Sequence, residues 1–514
     1  MLVAEGFRIS SKKYPHKIAL ICRDERITYL ELNARVNRVS NMLLELGLKR
    51  GDRVAILCWN KSQFLETALG CARIGIAWVP VNCRFVESEI EYVVNNSGAK
   101  AVVMDEVFAD KVGHIIPNLI HVEDNTCVVI GDPVPQGMVS FQRAVDRSPD
   151  KDPPVKAEET DILYLGYTSG TTGFPKGALI SQRNRVIASL FWALEYGLTA
   201  DDITLHAGPL YHSAPMTFSL LHLYMGGTVC LMPEFQEEEV LRLVEKERIT
   251  NAFLVPTMLN RILNLPPQGR ERYDIRSLRV LICNASPLPT KVKEGTMAFF
   301  RQAHLHEFYG ATESGIITSI KHWRHPEKVQ SVGLPLFETE VRILDDQGND
   351  IPAGEVGEIY FKSPTRFGGY HEMPEDTKNA FRGEWQTLND MGKLDENGFL
   401  YIVGRTKDMI KSGGVNIYPK EIEDLLHTHP SVMDVAVIGI PDEHWGEAVK
   451  AIIILKEGGT ATAEEIIQFC HGKLASYKIP RSVDFAREFP RTAVGKILKR
   501  EIRAPFWKDR AVKV

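Results

Sequence analysis

Residues 162–177, ILYLGYTSGTTGFPKG, decide the fold class, because they join a short apolar run to a loop of glycine and hydroxyl residues. The apolar run 162–165 predicts a buried strand. Glycines let backbone N–H groups turn toward an anion, hydroxyls add donors, and Lys176 adds charge. The spacing G-x-x-x-x-G-K-[ST] of the common P-loop is absent. The Pro-Lys-Gly ending favours a polyphosphate cradle over a mobile surface loop.

Outward from this loop, short apolar runs alternate with helical patterns. The runs 54–57, 76–81 and 101–104 predict strands. Thr28 and Glu31 have the spacing of a capping box, and apolar residues follow at three-to-four spacing. Helical periodicity returns after residue 184, through Val186, Ile187, Leu190, Phe191 and Leu194. The alternation predicts an α/β protein with largely parallel sheets.

Length and composition exclude several classes of protein. The 514 residues exceed a single core, and 25% charged with 44% hydrophobic residues is typical of globular proteins. The net charge of −5 argues against nucleic-acid binding. The eight cysteines form no C-x-x-C pair, so we expect reduced thiols. No signal peptide or membrane span is predicted, so we expect a cytoplasmic location. The cysteines are Cys22, Cys58, Cys71, Cys83, Cys127, Cys230, Cys283 and Cys470.

A second motif, FYGATE at residues 308–313, offers an aromatic face, a glycine, a hydroxyl and a carboxylate. Glu313 could hold Mg²⁺, which prefers oxygen ligands. The alternative is a helix start with Thr312 as its cap. The apolar runs in 251–257 and 280–288 predict two more strands, each delivering a loop to a sheet edge where ligands bind.

These two motifs, with GRTKDMIKSGG at 404–414 and PRTAVGK at 490–496, resemble the motifs of the adenylate-forming superfamily. That superfamily contains acyl-CoA synthetases, the adenylation domains of peptide synthetases and firefly-type luciferases. The motifs stand in the family's order over nearly the whole chain. The resemblance implies an AMP-forming acyl-CoA synthetase, which uses ATP and Mg²⁺ to make acyl-AMP and pyrophosphate, then forms a thioester with CoA.

The resemblance also implies a fold and roles for individual residues. We expect a large N-terminal domain of several subdomains, residues 1–406, with mixed sheets packed with helices, and a small mobile α+β C-terminal domain, residues 407–514. The implied catalytic residues are Lys496, Thr312, Glu313 and His212, with Thr168 and Glu313 as metal ligands. The implied nucleotide and CoA contacts are Thr168, Ser169, Gly170, Thr171, Thr172, Gly173, Lys176, Ala285, Ser286, Tyr309, Gly310, Asp390, Arg405, Gly413, Gly414, Trp445 and Tyr477. Lys407 is the implied hinge, and the implied acyl pocket comprises Trp192, His212, Asn284 and Gly315.

For several of these residues a structural role is the alternative. Trp445 and Tyr477 would otherwise be packing aromatics of the small domain, and Asp390 an ordinary turn aspartate. Segment 404–414 by itself could be a basic hairpin on a solvated face.

The chain departs from the family pattern at two places. Many members have glycine where this chain has Asn284, and this asparagine favours a shorter or partly polar acyl group. The family's Thr-Gly-Asp is replaced by Leu388-Asn389-Asp390, which puts the local backbone shape in doubt.

The expected partners are a small-molecule carboxylic acid (fatty or aromatic), ATP and CoA. A ligase that loads a carrier protein and a nucleotide-binding regulator without turnover are the alternatives. The motifs single out no oxygen chemistry, which disfavours a luciferase. The sequence is compatible with a homo-oligomer.

Overall fold

The computed structural model describes residues 1–168, 175–286, 288–413, 415–491 and 497–508. The chain forms two compact units. The first comprises Met1–Val329, Pro335–Glu340 and Lys362–Glu384, and the second Gln330–Leu334, Val341–Phe361 and the chain from Trp385. The predicted boundary between residues 406 and 407 stays a prediction.

Helices and strands alternate through most of the first unit. In chain order the elements are α1 (Val3–Lys13), β1 (Ile18–Cys22), β2 (Glu25–Thr28), α2 (Tyr29–Glu45), β3 (Arg53–Leu57), α3 (Ser62–Arg73), β4 (Ala77–Pro80), α4 (Glu87–Ser97), β5 (Ala101–Asp105), α5 (Ala109–Ile115), β6 (Cys127–Ile130), β7 (Val139–Ser140), α6 (Phe141–Arg147), β8 (Ile162–Thr168), β9 (Lys176–Ser181), α7 (Gln182–Tyr196), β10 (Ile203–His206), α8 (Ser213–Met225), β11 (Thr228–Leu231), α9 (Glu237–Glu247), β12 (Asn251–Phe253), α10 (Pro256–Leu263), α11 (Pro267–Arg270), β13 (Val280–Cys283), α12 (Thr290–Phe299), β14 (His304–Ala311) and β15 (Gly315–Lys321).

The remaining elements are mostly strands. They are β16 (Leu334–Pro335), β17 (Glu340–Leu344), β18 (Gly357–Lys362), α13 (Pro374–Asn379), β19 (Phe381–Arg382), β20 (Trp385–Leu394), β21 (Leu400–Arg405), β22 (Ile410–Ser412), β23 (Val415–Ile417), α14 (Pro419–Leu426), β24 (Val432–Asp442), β25 (Gly446–Leu455), α15 (Ala463–Cys470), β26 (Ser482–Phe485) and α16 (Lys499–Trp507).

Two mixed sheets organise the first unit. A seven-stranded sheet has the order β7-β6-β5-β3-β4-β8-β9, with β3, β4, β5 and β8 parallel and β9 antiparallel to β8. The strands β4 and β5 are buried along their whole length, as expected when helices cover both faces of a parallel sheet. A second sheet has the order β15-β14-β13-β12-β10-β11-β1-β2. Its parallel strands β12 and β13 bring the predicted loops to its carboxyl edge.

The second unit is built from two smaller sheets. Strands β18, β20 and β21 are antiparallel neighbours in one of them. The other has the order β23-β22-β25-β24, with β26 parallel to β25. The α/β fold class with mixed sheets in a large N-terminal part is therefore confirmed.

The first predicted helix is confirmed together with its cap. Thr28 Oγ1 accepts a hydrogen bond from the Glu31 backbone N–H at 3.3 Å, and Glu31 Oε2 accepts one from the Thr28 N–H at 2.8 Å. This reciprocal pair satisfies two N–H groups that the first helical turn leaves without partners. Of the apolar residues of α2 at three-to-four spacing, Leu32, Val36, Val39 and Leu43 are buried, and Leu46 at the C-cap is half-buried.

The cysteines agree with a reduced protein. All eight are free, and all except the half-buried Cys22 are buried. Among the helices that the structure describes, none combines the length and the apolar content that a bilayer crossing requires.

The helix predicted after residue 184 is confirmed as α7, although its apolar residues do not all face the core. Leu190 is 39% exposed and Leu194 is 68% exposed, whereas Arg185 and Trp192 are buried. Val186 is buried and Ile187 and Phe191 are half-buried, so the apolar residues after residue 184 coincide with the buried side of this helix only in part.

Candidate functional site

The base of the predicted phosphate loop lies between β8 and β9. Thr168, the last residue of β8, is paired with Lys176, the first residue of β9, in the antiparallel ladder. Ser169, Gly170, Thr171, Thr172 and Gly173 lie outside the described residues. The two strands thus place a hydroxyl and an ammonium group where the loop leaves and rejoins the sheet.

Glu313 lies beside this loop base. It is 7% exposed, and its Oε1 accepts hydrogen bonds from Thr168 Oγ1 at 3.0 Å and from the Tyr370 hydroxyl at 3.1 Å. Its carbonyl accepts a bond from Phe367 N–H at 2.8 Å. The predicted metal ligands Thr168 and Glu313 are therefore brought together.

The backbone around Glu313 forms a tight hairpin. The turn between β14 and β15 is closed by a bond from Ala311 N–H to Ser314 Oγ at 2.9 Å. A Cβ on Gly310 would lie 2.0 Å from the Gly315 carbonyl oxygen, so only glycine fits there. The alternative of a helix that begins at Thr312 is wrong, because β15 follows the turn.

Thr312 and Tyr309 belong to the same hairpin. The Thr312 methyl lies 2.5 Å from where a Cβ on Gly166 would be, so Gly166 lets the threonine approach β8. Tyr309, the residue predicted to stack on adenine, is half-buried near the end of β14. The hairpin therefore packs against the strand that leads into the phosphate loop.

Lys176 pairs with an aspartate side chain in this structure. Its ammonium group forms an ion pair with the Asp376 carboxylate and lies 5.5 Å from the centre of the Tyr370 ring. Tyr370 therefore contacts both Glu313 and Lys176. Tyr370 and Asp376 are not among the predicted site residues, because they lie outside the motifs and no spacing rule relates them to Glu313 or Lys176.

The predicted adenine loop follows β13. It contains Asn284, Ala285 and Ser286, and Ala285 adopts φ +85°, a backbone conformation unusual for a residue with a Cβ. The loop is tied down where Leu288 N–H donates to Glu307 Oε1 at 3.4 Å. An unusual backbone conformation that the surrounding structure holds in place is typical of binding sites.

Glu307 in turn belongs to a buried ionic cluster. Lys293 Nζ lies 3.1 Å and His322 Nε2 3.0 Å from its Oε2. Burial acts to raise the pKa of Glu307, but the His322 hydrogen bond and the Lys293 charge bring it below its ordinary value. The anchor of the loop is therefore an ionised carboxylate.

Of the predicted acyl-pocket residues, Trp192 lies on α7 and Gly315, the first residue of β15, lies beside that helix. The Trp192 ring is 4.9 Å from the Phe218 ring and 6.2 Å from the Phe308 ring, centre to centre. A Cβ on Gly315 would touch Ala188, one turn before Trp192. Trp192 and Gly315 thus border one aromatic cluster, and the inclusion of His212 and Asn284 in the same pocket stays a prediction.

His212 immediately precedes α8. Its Nε2 is buried and has no hydrogen-bond partner within the described parts of the chain. Burial, helped by the Arg84 charge, lowers the pKa of His212 to about 4. The ring is therefore neutral at pH 7 and can exchange a hydrogen bond with a ligand.

Acid is expected to destabilise the first unit through its buried histidines. Burial lowers their pKa to about 3 for His206 and His306, and to about 4 for His212 and His222. An unfolded histidine has a pKa of about 6.5, so below this pH the unfolded chain binds more protons and stability falls. At pH 5.5 each of these four histidines lowers the free energy of unfolding by about 1.4 kcal/mol. Burial raises the pKa of Glu66 to about 7, so the folded state binds a proton there and regains about 2 kcal/mol.

We therefore expect the melting temperature to fall by several degrees between pH 7.5 and pH 5.5 in a calorimetric scan. A melting temperature that stays constant or rises on acidification would contradict the burial of these imidazoles.

The predicted residues of the second unit form two groups. Asp390 on β20 and Arg405 on β21 face each other in the ladder, with Arg405 Nε 3.1 Å from Asp390 Oδ1. Asn389 has φ +58°, so it adopts the left-handed conformation in which asparagine most readily replaces glycine. The substitution of the family's glycine therefore does not prevent the left-handed backbone at this position of β20.

Trp445 packs against the backbone of Gly413. Gly413 has φ +59°, its N–H donates to the Trp445 carbonyl at 2.8 Å, and a Cβ on it would lie 2.6 Å from the indole ring. Trp445 is 38% exposed and Tyr477 46% exposed, so each leaves part of its ring accessible. Lys407 lies in the short 3-10 helix Thr406–Asp408. Gly414 and Lys496 lie outside the described residues.

Comparison with known proteins identifies the family. A model described as AMP-binding enzyme matches residues 7–371, and one described as AMP-binding enzyme C-terminal domain matches residues 421–496. A feruloyl-CoA synthase of Amycolatopsis sp is 36% identical over 96% of this chain and 96% of its own length. The fatty acid–[acyl-carrier-protein] ligase ScoC of Streptomyces coeruleorubidus is 31% identical over 97% and 95%.

Among solved structures, ATP-bound MatB from Rhodopseudomonas palustris has a TM-score of 0.88 and 32% identity, covering 98% of this chain and 99% of its own. These relatives confirm the superfamily and the ligase class that the motifs predict. The chain belongs to the AMP-binding enzyme family.

Proposed function

We propose that this chain is an acid–thiol ligase that activates a carboxylic acid with ATP and transfers the acyl group to CoA. The observation that carries the proposal is the contact of Glu313 with Thr168 at the base of the phosphate loop, 3.0 Å between the two oxygens. A buried carboxylate beside a hydroxyl and a lysine suits a bound polyphosphate and its cation.

In the first half-reaction, a carboxylate oxygen of the acid attacks the α-phosphorus of ATP. The new O–P bond gives acyl-AMP, and the bond from the α-phosphorus to the bridging oxygen breaks, so that pyrophosphate leaves with the electron pair. A carboxylate is already ionised near neutral pH, so no general base is needed. We assign Lys176 to the β- and γ-phosphates, for which it would give up its ion pair with Asp376.

The described residues fit a magnesium ion. Glu313 and Thr168 present hard oxygen donors, the ligand type that Mg²⁺ prefers. When bound, the ion would supply positive charge to the triphosphate. Thr168, Tyr370 and the hairpin turn hold Glu313 in place for that role.

In the second half-reaction, the CoA thiol attacks the acyl carbon of acyl-AMP and AMP leaves. We assign Gly413, Gly414, Trp445 and Tyr477 to CoA and Lys407 to the hinge, on the family resemblance. Asp390 and Arg405 are assigned to the ribose and phosphate of the nucleotide, and Ala285, Ser286, Tyr309 and Gly310 to its adenine. A cytoplasmic location and a homo-oligomeric assembly stay predictions.

Pyrophosphate release with a panel of fatty and aromatic acids tests the proposal. We expect release that requires ATP, Mg²⁺ and an acid, and a thioester that forms when CoA is added. A phosphopantetheinyl carrier protein in place of CoA tests the other acceptor, because one relative is a carrier-protein ligase. Nucleotide binding without pyrophosphate release from any acid would favour the regulator and overturn the proposal.

A further inference from the structure

Arg185 is a buried cation for which the described residues supply no counter-ion. It lies on α7, is 1% exposed, and forms no ion pair with any described carboxylate. One terminal nitrogen donates to Thr217 Oγ1 at 2.7 Å, and the other donates to the Tyr164 hydroxyl. Its Nε has no partner in the described ranges of the chain.

This burial is costly. An isolated buried charge costs several kcal/mol, and an arginine keeps its proton because its ordinary pKa is above 12. The guanidinium carbon lies 5.1 Å from the centre of the Tyr164 ring and 6.0 Å from that of Trp192. Contacts with aromatic faces are weaker than an ion pair and do not replace a counter-ion. The guanidinium is therefore a site that an acceptor oxygen would stabilise.

Arg185 borders the aromatic cluster already described. Trp192 stands two turns further along the same face of α7, and its Nε1 is also buried without a described partner. The Tyr164 hydroxyl lies 2.9 Å from Ser213 Oγ, next to His212 with its unpartnered Nε2. Buried polar atoms in native proteins are normally hydrogen-bonded, so these three nitrogens point to an acceptor-bearing ligand.

We propose that Arg185 is a specificity-determining residue that binds a second acceptor oxygen of the acid, remote from the carboxylate that is activated. The oxygen belongs to a carboxylate or a phenolic group, to which a planar guanidinium donates well. The inference rests on the proposed function and extends it to a class of acid. It also agrees with the partly polar acyl group that Asn284 favours.

Matched acids test the inference on the wild-type chain. Cinnamic acid is compared with 4-hydroxycinnamic and 4-carboxycinnamic acid, and hexanoic acid with adipic acid, by kcat/KM for pyrophosphate release. We expect at least one oxygen-bearing acid to exceed its parent by about tenfold or more, because a site built to hydrogen-bond a group rejects analogues that lack it. A preference for the parent acid in both sets overturns the inference.

The variants Arg185→Met and Arg185→Lys test whether the preference for oxygen-bearing acids arises at Arg185. We expect Arg185→Met to lose about tenfold or more on the preferred acid while the parent acid keeps or gains activity, with Arg185→Lys intermediate. Arg183→Met is the matched control, since Arg183 is exposed on the same helix and pairs with Glu159. Equal losses on both acids would show that Arg185 only clamps α7 to α8, and would overturn the inference.

Two outcomes separate the possible failures. If Arg185→Met does not fold, the wild-type ranking of the acids decides alone. Absence of pyrophosphate with every acid overturns the proposed function, whereas release that favours the parent acids overturns only the role of Arg185.

Discussion

Glu313→Gln is expected to reduce pyrophosphate release by about 10²–10³-fold while the fold is retained. Glutamine keeps the oxygen that accepts from Thr168 and Tyr370, at 3.0 and 3.1 Å, but it removes the negative charge. A charge that is 7% exposed acts on its surroundings with little screening by water. The measurement is kcat/KM for pyrophosphate release at saturating ATP, over a series of Mg²⁺ concentrations.

The dependence on Mg²⁺ separates two roles of Glu313. If the carboxylate holds the cation, Glu313→Gln needs more Mg²⁺ for half-maximal rate, because one anionic ligand is lost. If Glu313 only anchors Thr168 and Tyr370, the Mg²⁺ requirement is unchanged. Glu372→Gln is the control, since that side chain is 71% exposed. Activity of Glu313→Gln within threefold of wild type would contradict the site.

Local sequence signals predicted those parts of the fold that depend on neighbouring residues. The cap of α2 joins Thr28 to Glu31, three residues apart, and both of its hydrogen bonds are present. The strand before the phosphate loop and the strands before the other loops follow from short apolar runs. The backbone shape at Asn389 was in doubt because the family has glycine there, and its φ of +58° within β20 shows that asparagine supports the left-handed conformation.

Contacts distant in sequence could not be predicted. Tyr370 meets Glu313 across 57 residues, and no spacing rule relates the two. By sequence, Arg185 is one of two arginines in the first turn of α7. Its burial follows from packing against Tyr164 and Thr217, which the apolar periodicity of one helix does not contain. The position of Arg185, which we propose bears on substrate choice, is thus fixed by tertiary structure.

Lys496→Ala is expected to abolish most acyl-AMP formation, by about 10²–10³-fold, while thioester formation from supplied acyl-AMP is retained. The family resemblance assigns Lys496 to the first half-reaction, where two anions, a carboxylate and a triphosphate, must approach each other. A cation between them stabilises the charge that develops at the α-phosphorus. No triphosphate is present when a thiol attacks acyl-AMP, so the same cation is not required. The two half-reactions are measured separately, as pyrophosphate release without CoA and as thioester formation from synthetic acyl-AMP with CoA.

The two rates together decide between a local and a general effect of Lys496→Ala. Arg500→Ala is the control, because Arg500 is an exposed cation near the start of α16 and its loss lowers the net charge equally. Loss of both half-reactions in Lys496→Ala, with the control active in both, would show that the lysine serves a step common to them. Loss of the first half-reaction alone would tie Lys496 to adenylation. It would leave Glu313 and Thr168 to hold the cation and Lys176 to hold the β- and γ-phosphates, and it would assign the positive charge at the α-phosphorus to Lys496.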